Sequence, residues 1–305
     1  MKILLLAPDQ ITKTNWGHQL FRNEIARQHQ VIFYGGGYFE HPYVRKKPIS
    51  QVLKETKWKP DIILTHHLTA AKHYVGLDQI TNIPKVHICV DHRDLKNDIA
   101  RHAMLFADHK YDLIIVRTMS EWNSLRMNPN VPEKRAFLPW SVDTNIYYDM
   151  RKKRDIDVLN LGNMHPTAYP LREELREKLV SFKNIKLHTI RARHHNFVET
   201  INRSRMFVSA NGFNGNMNQK YLESLACGTF FLTENPFDLN IYGLVPEENL
   251  DVFKNVEEVE EKVRYYIKNW RERREIAKRG MHLVRENHNN VVRVKEFTRI
   301  LEEKL

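Results

Sequence analysis

A strand-like apolar run followed by a helical pattern recurs along the chain, and this alternation limits the fold more than any other feature. In the first half, strand patterns fall at Lys2–Ala7, Gln30–Tyr34, Asp61–Thr65, Lys85–Val90, Asp112–Val116 and Arg135–Leu138. Helical spacing lies between them near Gly17–Gln28, Ile49–Lys57, Ala70–Asp78, Lys96–Ala107 and Met119–Met127. Short links between alternating elements predict a parallel sheet with helices on both faces, the doubly wound α/β arrangement. In such sheets ligands bind beyond the C-terminal strand ends.

The pattern breaks after Pro139-Trp140-Ser141-Val142-Asp143, where a polar stretch and the tetrad Arg151-Lys152-Lys153-Arg154 follow, and then it starts again. Strands are expected at Asp155–Leu161, Ile185–Ile190, Met206–Ala210 and Thr229–Thr233, with helices near Pro170–Phe182 and Phe197–Ser204. With 305 residues, the chain suits two Rossmann-like domains of about 150 residues each. The expected divisions are 1–148, 149–285 and a C-terminal helix over 286–305 that packs back on the first domain. The tail from Val256 reads as nearly continuous helix, broken at Gly280 and around Asn287–Asn290. Its apolar residues Val292, Phe297, Ile300 and Leu301 form a stripe suited to docking. A cleft between two such domains is the expected ligand site.

Chemistry concentrates in Asn216–Glu234, which reads as a polar turn, a short helix, Gly228 and a buried strand. Leu222, Leu225 and Ala226 give the helix one apolar face, and Gly228 stands where a helix ends in the left-handed region. Asn216, Asn218 and Gln219 precede the helix, so its free N–H groups and positive dipole end face a ligand, and Lys220 adds a full charge. Such a site suits a diphosphate. Glu223, one turn on, can accept hydrogen bonds from a ribose or sugar hydroxyl pair. Many helices begin with Asn and carry a Lys and a Glu on a solvated face, so local physics leaves both readings open.

Composition narrows the class. Hydrophobic residues make up 42% and charged residues 28%, which fits a globular chain. The opening MKILLLAPD is basic then apolar, but its apolar run is too short for a signal peptide, and no later run approaches membrane length. Cys89 and Cys227 have no metal-type spacing, so reduced thiols and a cytoplasmic protein are expected. The net charge of +11, from 48 basic and 37 acidic residues, favours an anionic partner such as a nucleotide, with DNA, RNA or an anionic membrane as further candidates. Oligomeric state is not legible.

Three strand ends in the first half carry polar groups. Strand one runs toward Asn15-Trp16-Gly17, strand three into His66-His67, and strand four into Asp91-His92-Arg93-Asp94. Asp91 and His92 are candidates for general-base or charge-stabilising work, against the alternative of a salt-bridged loop. Paired histidines are more often incidental, and no third ligand is spaced for zinc. Asp155-Ile156-Asp157 opens a strand, away from the ligand end, and is not read as a metal site.

Several stretches resemble a known family. Leu138-Pro139-Trp140-Ser141-Val142-Asp143 resembles the "LPxGVD" link, and Asp157-Val158-Leu159-Asn160-Leu161-Gly162-Asn163 resembles the "DVxFVGS" strand. Asn218 to Gly228 resembles "NxRxFEAxACG" with Lys for Arg, and Ile276-Ala277-Lys278-Arg279-Gly280 with His288 resembles "IAxxG…H". Together they resemble GT-B glycosyltransferases, nearest the spore-maturation (CgeB-like) group and its retaining relatives. The match is ordered through the second half and weaker over the first.

The resemblance implies a hexosyltransferase-like enzyme using a nucleotide-sugar, a UDP-sugar first among them, as substrate, with no cofactor and no metal. Glu223 would bind the ribose, while Lys220 with Asn216 and Asn218 would hold the diphosphate. Gly162 and Asn163 would line the cleft, and Arg191 and Arg193 would lie near the base or phosphate. Asp91 and His92 would activate an acceptor bound on the first domain near Gly17, His66 and His67. Retaining relatives carry a second Glu where this chain has Gly215, which leaves the stereochemical outcome open. The acceptor would be a saccharide, protein or small molecule. Alternatives are transfer to hydroxymethylated bases in DNA, a non-catalytic nucleotide-sugar binder, or a same-fold sugar-nucleotide epimerase.

Overall fold

The computed structural model describes residues 1–12, 16–66, 74–89, 104–125, 131–164, 169–190, 193–212 and 215–305. Contacts divide the chain into two units, Met1–Pro139 with Arg293–Leu305, and Trp140–Val292.

The first unit holds six parallel strands in the order β2-β1-β3-β4-β5-β6. They are β1 (Lys2–Leu6), β2 (Gln30–Tyr34), β3 (Ile62–His66), β4 (Lys85–Ile88), β5 (Leu113–Val116) and β6 (Arg135–Phe137). Strand alternation explains why both faces are covered. Ile3 and Leu5 of β1 point into a cluster with Phe21, Ile25, Leu64 and Ile88, whereas Leu4 and Leu6 point into another with Ile49, Val52, Tyr74 and Leu77. Helices Trp16–Gln28 and Ile49–Thr56 supply those apolar partners. The chain order reverses at β1, with β2 on one side and β3 on the other, which is the switch point of a doubly wound sheet.

The last helix, Asn290–Lys304, closes the first unit. Phe297, Ile300 and Leu301 join the Ile3–Leu5 cluster as the stripe implied, but Val292 is 38% exposed and Val294 takes the buried place. Two further expectations need correction. Residues 70–73 of the expected Ala70–Asp78 helix lie outside the described residues, and 74–78 are not helical. Val75 instead bridges Pro48, and Gly76 adopts φ +76, a conformation that ends regular helix. Nor does Gly280 break the tail, because helix Trp270–Asn287 runs through it. A Cβ at Gly280 would fall 2.3 Å from Asn249 O and 2.8 Å from Leu225 Cδ2, so glycine is there for close approach. The actual break is at Asn269, after helix Glu257–Lys268.

The second unit holds five parallel strands in the order β11-β10-β9-β7-β8. They are β7 (Ile156–Leu159), β8 (Leu187–His188), β9 (Ser204–Ser209), β10 (Phe230–Glu234) and β11 (Asp251–Phe253). Strand β11 has only three residues and no clear sequence period, so the sequence reading passes over it. The core joins Val158, Met206, Val208 and Leu232 to Leu175, Leu179, Val259 and Ile276 from the flanking helices. Within this unit Val142 N donates to His288 O at 3.0 Å, and Asn290 N to Val142 O at 2.9 Å. The Pro139–Asp143 link and His288, distant in sequence, therefore meet. Among the described residues no helix is long and apolar enough to cross a membrane.

Candidate functional site

Helix Gln219–Ala226 starts at Asn218, whose side chain accepts from Lys220 N at 3.1 Å. That bond satisfies one of the free N–H groups of the first turn and fixes where the helix begins. Lys220 then turns its side chain toward the end of β7, and Nζ donates to Leu161 O at 2.9 Å. A Cβ at Gly162 would lie 2.9 Å from that Nζ and 3.3 Å from Arg172 Nη1. Any other residue at 162 would push both cations away from the strand end.

Two arginines complete the group. Helix Pro170–Val180 follows β7 and carries Arg172 and Arg176 one turn apart. Arg172 Nη1 donates to Asn163 O at 3.1 Å and Nη2 to Asn211 O at 3.0 Å, while its guanidinium lies 3.4 Å over the Tyr169 ring. Arg176 Nε donates to Asn160 Oδ1 at 3.1 Å. Lys220, Arg172 and Arg176 thus gather round the C-terminal end of β7. Burial first, then Arg172, pushes the Lys220 ammonium well below its ordinary pKa; Glu223 opposes this and Arg176 adds to it.

Glu223 stands one turn into the helix and is 7% exposed. Burial pushes its carboxyl up to about 7, against a hydrogen bond from Tyr147 and the attraction of Lys220. Tyr147 is itself buried, with its N donating to Asp143 O at 2.8 Å. Asn216 is buried, and its O accepts from Gly212 N at 2.8 Å. A third anchor joins these loops, since Tyr221 Oη donates to Asn211 Oδ1 at 2.8 Å.

The structure therefore gathers Gly162, Asn163, Asn216, Asn218, Lys220 and Glu223 at one end of one sheet. Arg193 is exposed at the N-cap position of helix His194–Arg203 and makes no described contact with Lys220 or Glu223. Arg191, His67, Asp91 and His92 lie outside the described residues. Asp155 is bound by Arg203 at 2.9 and 2.6 Å, and Asp157 by Arg205 at 2.5 Å, at the opposite end of β7. The sequence reading missed Arg172, Arg176 and Tyr147. The first two were detectable as an i, i+4 pair following a strand–glycine turn; Tyr147 carried no local signal.

In the first unit, Gly17 is buried in the first turn of helix Trp16–Gln28, and His66 is buried at the end of β3. Arg22 of that helix is fully buried too. Its Nε donates to His66 Nδ1 at 3.1 Å, Nη2 to His66 O at 3.2 Å, and Nη1 to Pro8 O at 2.8 Å and Gln19 Oε1 at 3.3 Å. A guanidinium can only donate, so His66 accepts at Nδ1 and carries its proton on Nε2.

Comparison with known proteins agrees with this arrangement. Residues 149–299 match a family described as glycosyl transferase-like. That stretch, just under half of the chain, is similar to a glycosyltransferase domain. Comparison with the curated proteins found no match. Among solved structures, Anabaena HepE in complex with UDP and glucose aligns with a TM-score of 0.74 and 13% identity, over 99% of this chain and 100% of that one. A glycosyltransferase from Rickettsia africae aligns at 0.72 and 12%, over 99% and 98%. Sucrose-phosphate synthase from Thermosynechococcus elongatus aligns at 0.70 and 11%, over 99% and 98%. At such identities the likeness shows the fold, that of GT-B transferases with two Rossmann-like parallel-sheet domains. The family domain and the shared fold together support a glycosyltransferase.

Proposed function

We propose that the second unit binds a UDP-sugar and that the protein transfers its sugar to a hydroxyl of a saccharide, protein or small-molecule acceptor. The observation that carries this reading is the set of three side-chain cations, Lys220, Arg172 and Arg176, gathered at a strand end against one buried carboxylate, Glu223. Lys220 is a half-buried ammonium whose charge its surroundings disfavour, and a diphosphate restores it. The same cations stabilise the diphosphate as it departs, a role that needs no metal. Glu223 accepts hydrogen bonds from the ribose hydroxyls, with Tyr147 holding the carboxylate in place. The UDP-glucose complex of Anabaena HepE fits this reading, since that protein shares the fold.

On this reading the first unit takes the acceptor, with Asp91 and His92 as the candidates for activating it and Gly17, His66 and His67 on the acceptor side. The proposed resemblance to the spore-maturation group rests on four stretches, Leu138–Asp143, Asp157–Asn163, Asn218–Gly228 and Ile276–Gly280 with His288.

Calorimetry with UDP tests the donor site. Lys220→Ala, Arg172→Ala and Glu223→Ala are each expected to weaken UDP binding by about tenfold to a hundredfold, the weight of one charge-assisted hydrogen bond. Wild-type affinity in all three folded variants would overturn the reading.

A further inference from the structure

Asp238 is a second buried carboxylate beside this site, and nothing in the donor scheme uses it. It is 1% exposed and lies between β10 and the short turn Leu239–Tyr242. Its Oδ1 accepts from Met217 N at 2.8 Å, and Met217 is the residue before the helix cap Asn218. Its Oδ2 is buried and has no hydrogen-bond partner among the described residues. Asp238 occupies the N-cap position of the Leu239–Tyr242 turn, yet its side chain makes no capping bond there. A buried carboxylate oxygen left without a donor is costly and calls for one. Burial pushes this carboxyl up to about 6.

The loops that hold Asp238 also hold the cations. Met217 leads into Lys220 within a single turn of chain. Asn211 O accepts from Arg172 Nη2, while Asn211 Nδ2 donates to Asn235 O at 3.3 Å on the segment leading to Asp238. In a nucleotide-sugar the sugar is bonded directly to the diphosphate. The phosphates held by Lys220 and Arg172 therefore carry the nucleoside on one side and, on the other, the sugar with its neutral hydroxyl donors. A carboxylate oxygen in a dry setting binds such a donor with more selectivity than a solvated one.

We propose that Asp238 Oδ2 accepts a hydroxyl of the donor sugar and so helps to set which sugar the second unit takes. This rests on the nucleotide-sugar reading given above. Its test compares UDP with UDP-glucose, UDP-galactose and UDP-N-acetylglucosamine by calorimetry, in the wild-type protein and in Asp238→Asn. The Asn side chain keeps an oxygen for Met217 N and replaces the free carboxylate oxygen with an amide donor. The expected result is unchanged UDP affinity and a loss of about tenfold or more for the preferred UDP-sugar, the scale of a hydrogen bond to a charged group. Asp238→Glu, a second variant that keeps the carboxylate one methylene further out, is expected to change the ranking among the three sugars. Equal weakening of UDP and UDP-sugar in Asp238→Asn, unchanged sugar affinity, or no wild-type preference for any UDP-sugar over UDP would overturn the proposal while leaving the donor site intact. Absence of UDP binding to the wild-type protein would instead overturn the donor reading itself.

Discussion

Each unit sets a cation near the C-terminal edge of its sheet, Arg22 in the first and Lys220 in the second, and the two are treated in opposite ways. Arg22 of the first unit is surrounded by neutral acceptors, namely Pro8 O, Gln19 Oε1, His66 O and His66 Nδ1. Lys220 of the second unit has for neighbours one carbonyl, Leu161 O, two arginines and the Glu223 carboxyl, itself pushed toward its neutral form by burial. Arg22 ties the loop after β1 to the last residue of β3, so its hydrogen bonds serve the fold. Lys220 stands among like charges, so its charge is fully stabilised only when an anion arrives. Burial of a charge does not by itself mark a binding site; what surrounds the charge decides.

The largest expected effect breaks the structural side of this comparison. Arg22→Met removes a buried donor set and leaves His66 and the Pro8 carbonyl without it, at a cost of about 3–5 kcal/mol in denaturant unfolding. UDP affinity is expected to stay at the wild-type level. A stable Arg22→Met protein with weakened UDP binding would reverse the assignment of roles.

A smaller effect concerns pH and Glu223. Its folded pKa, pushed up to about 7, lies above the unfolded value, so the native state holds more protons between the two. The stability it contributes is complete below the unfolded value of about 4.3 and is lost as pH rises through about 7, by roughly 4 kcal/mol. Glu223→Gln is expected to flatten the stability curve over that window. Lys220 has the opposite sign. Its folded pKa is lowered, so stability rises with pH between that value and its unfolded value. Lys220→Met should remove this alkaline rise and leave the protein as stable as the wild type at neutral pH, or more so by about 1 kcal/mol. A clear loss of stability in Lys220→Met would mean that this lysine, like Arg22, serves the fold.

The smallest expected effect is at Gly162. A methyl group there would meet Lys220 Nζ at 2.9 Å, and the flexible lysine can give way. Gly162→Ala is expected to cost under about 1 kcal/mol in stability and to lower UDP affinity several-fold by displacing the ammonium. Unchanged affinity would show that the ammonium position is not what binds the diphosphate.

Much of this arrangement was legible in the sequence. The ten expected strands all appear, because buried parallel strands leave dense β-branched and aromatic runs. Lys220 and Glu223 could be found because a helix start, its cap and its charges lie within a few residues. Tyr147 and Asp238 could not be placed from sequence, because each reaches the site from another segment. Their roles come from contacts such as Asp238 Oδ1 with Met217 N, which link residues far apart in the chain. Gly280 misled for a related reason. A glycine inside a helix reads as a stop, and only the carbonyl of Asn249 beside it reveals that it permits close packing.

The return of Arg293–Leu305 to the first unit has a consequence for synthesis. The cluster around Ile3 and Leu5 lacks Phe297, Ile300 and Leu301 until residues 297–301 leave the ribosome. A nascent chain can complete the second unit's sheet while the first unit still exposes the apolar patch its last helix will cover. During that interval the patch is open to chaperones and to neighbouring nascent chains. A stop codon shortly before Phe297 would prolong the interval indefinitely, so loss of Phe297, Ile300 and Leu301 in this way should harm the amino-terminal unit more than the unit they directly follow.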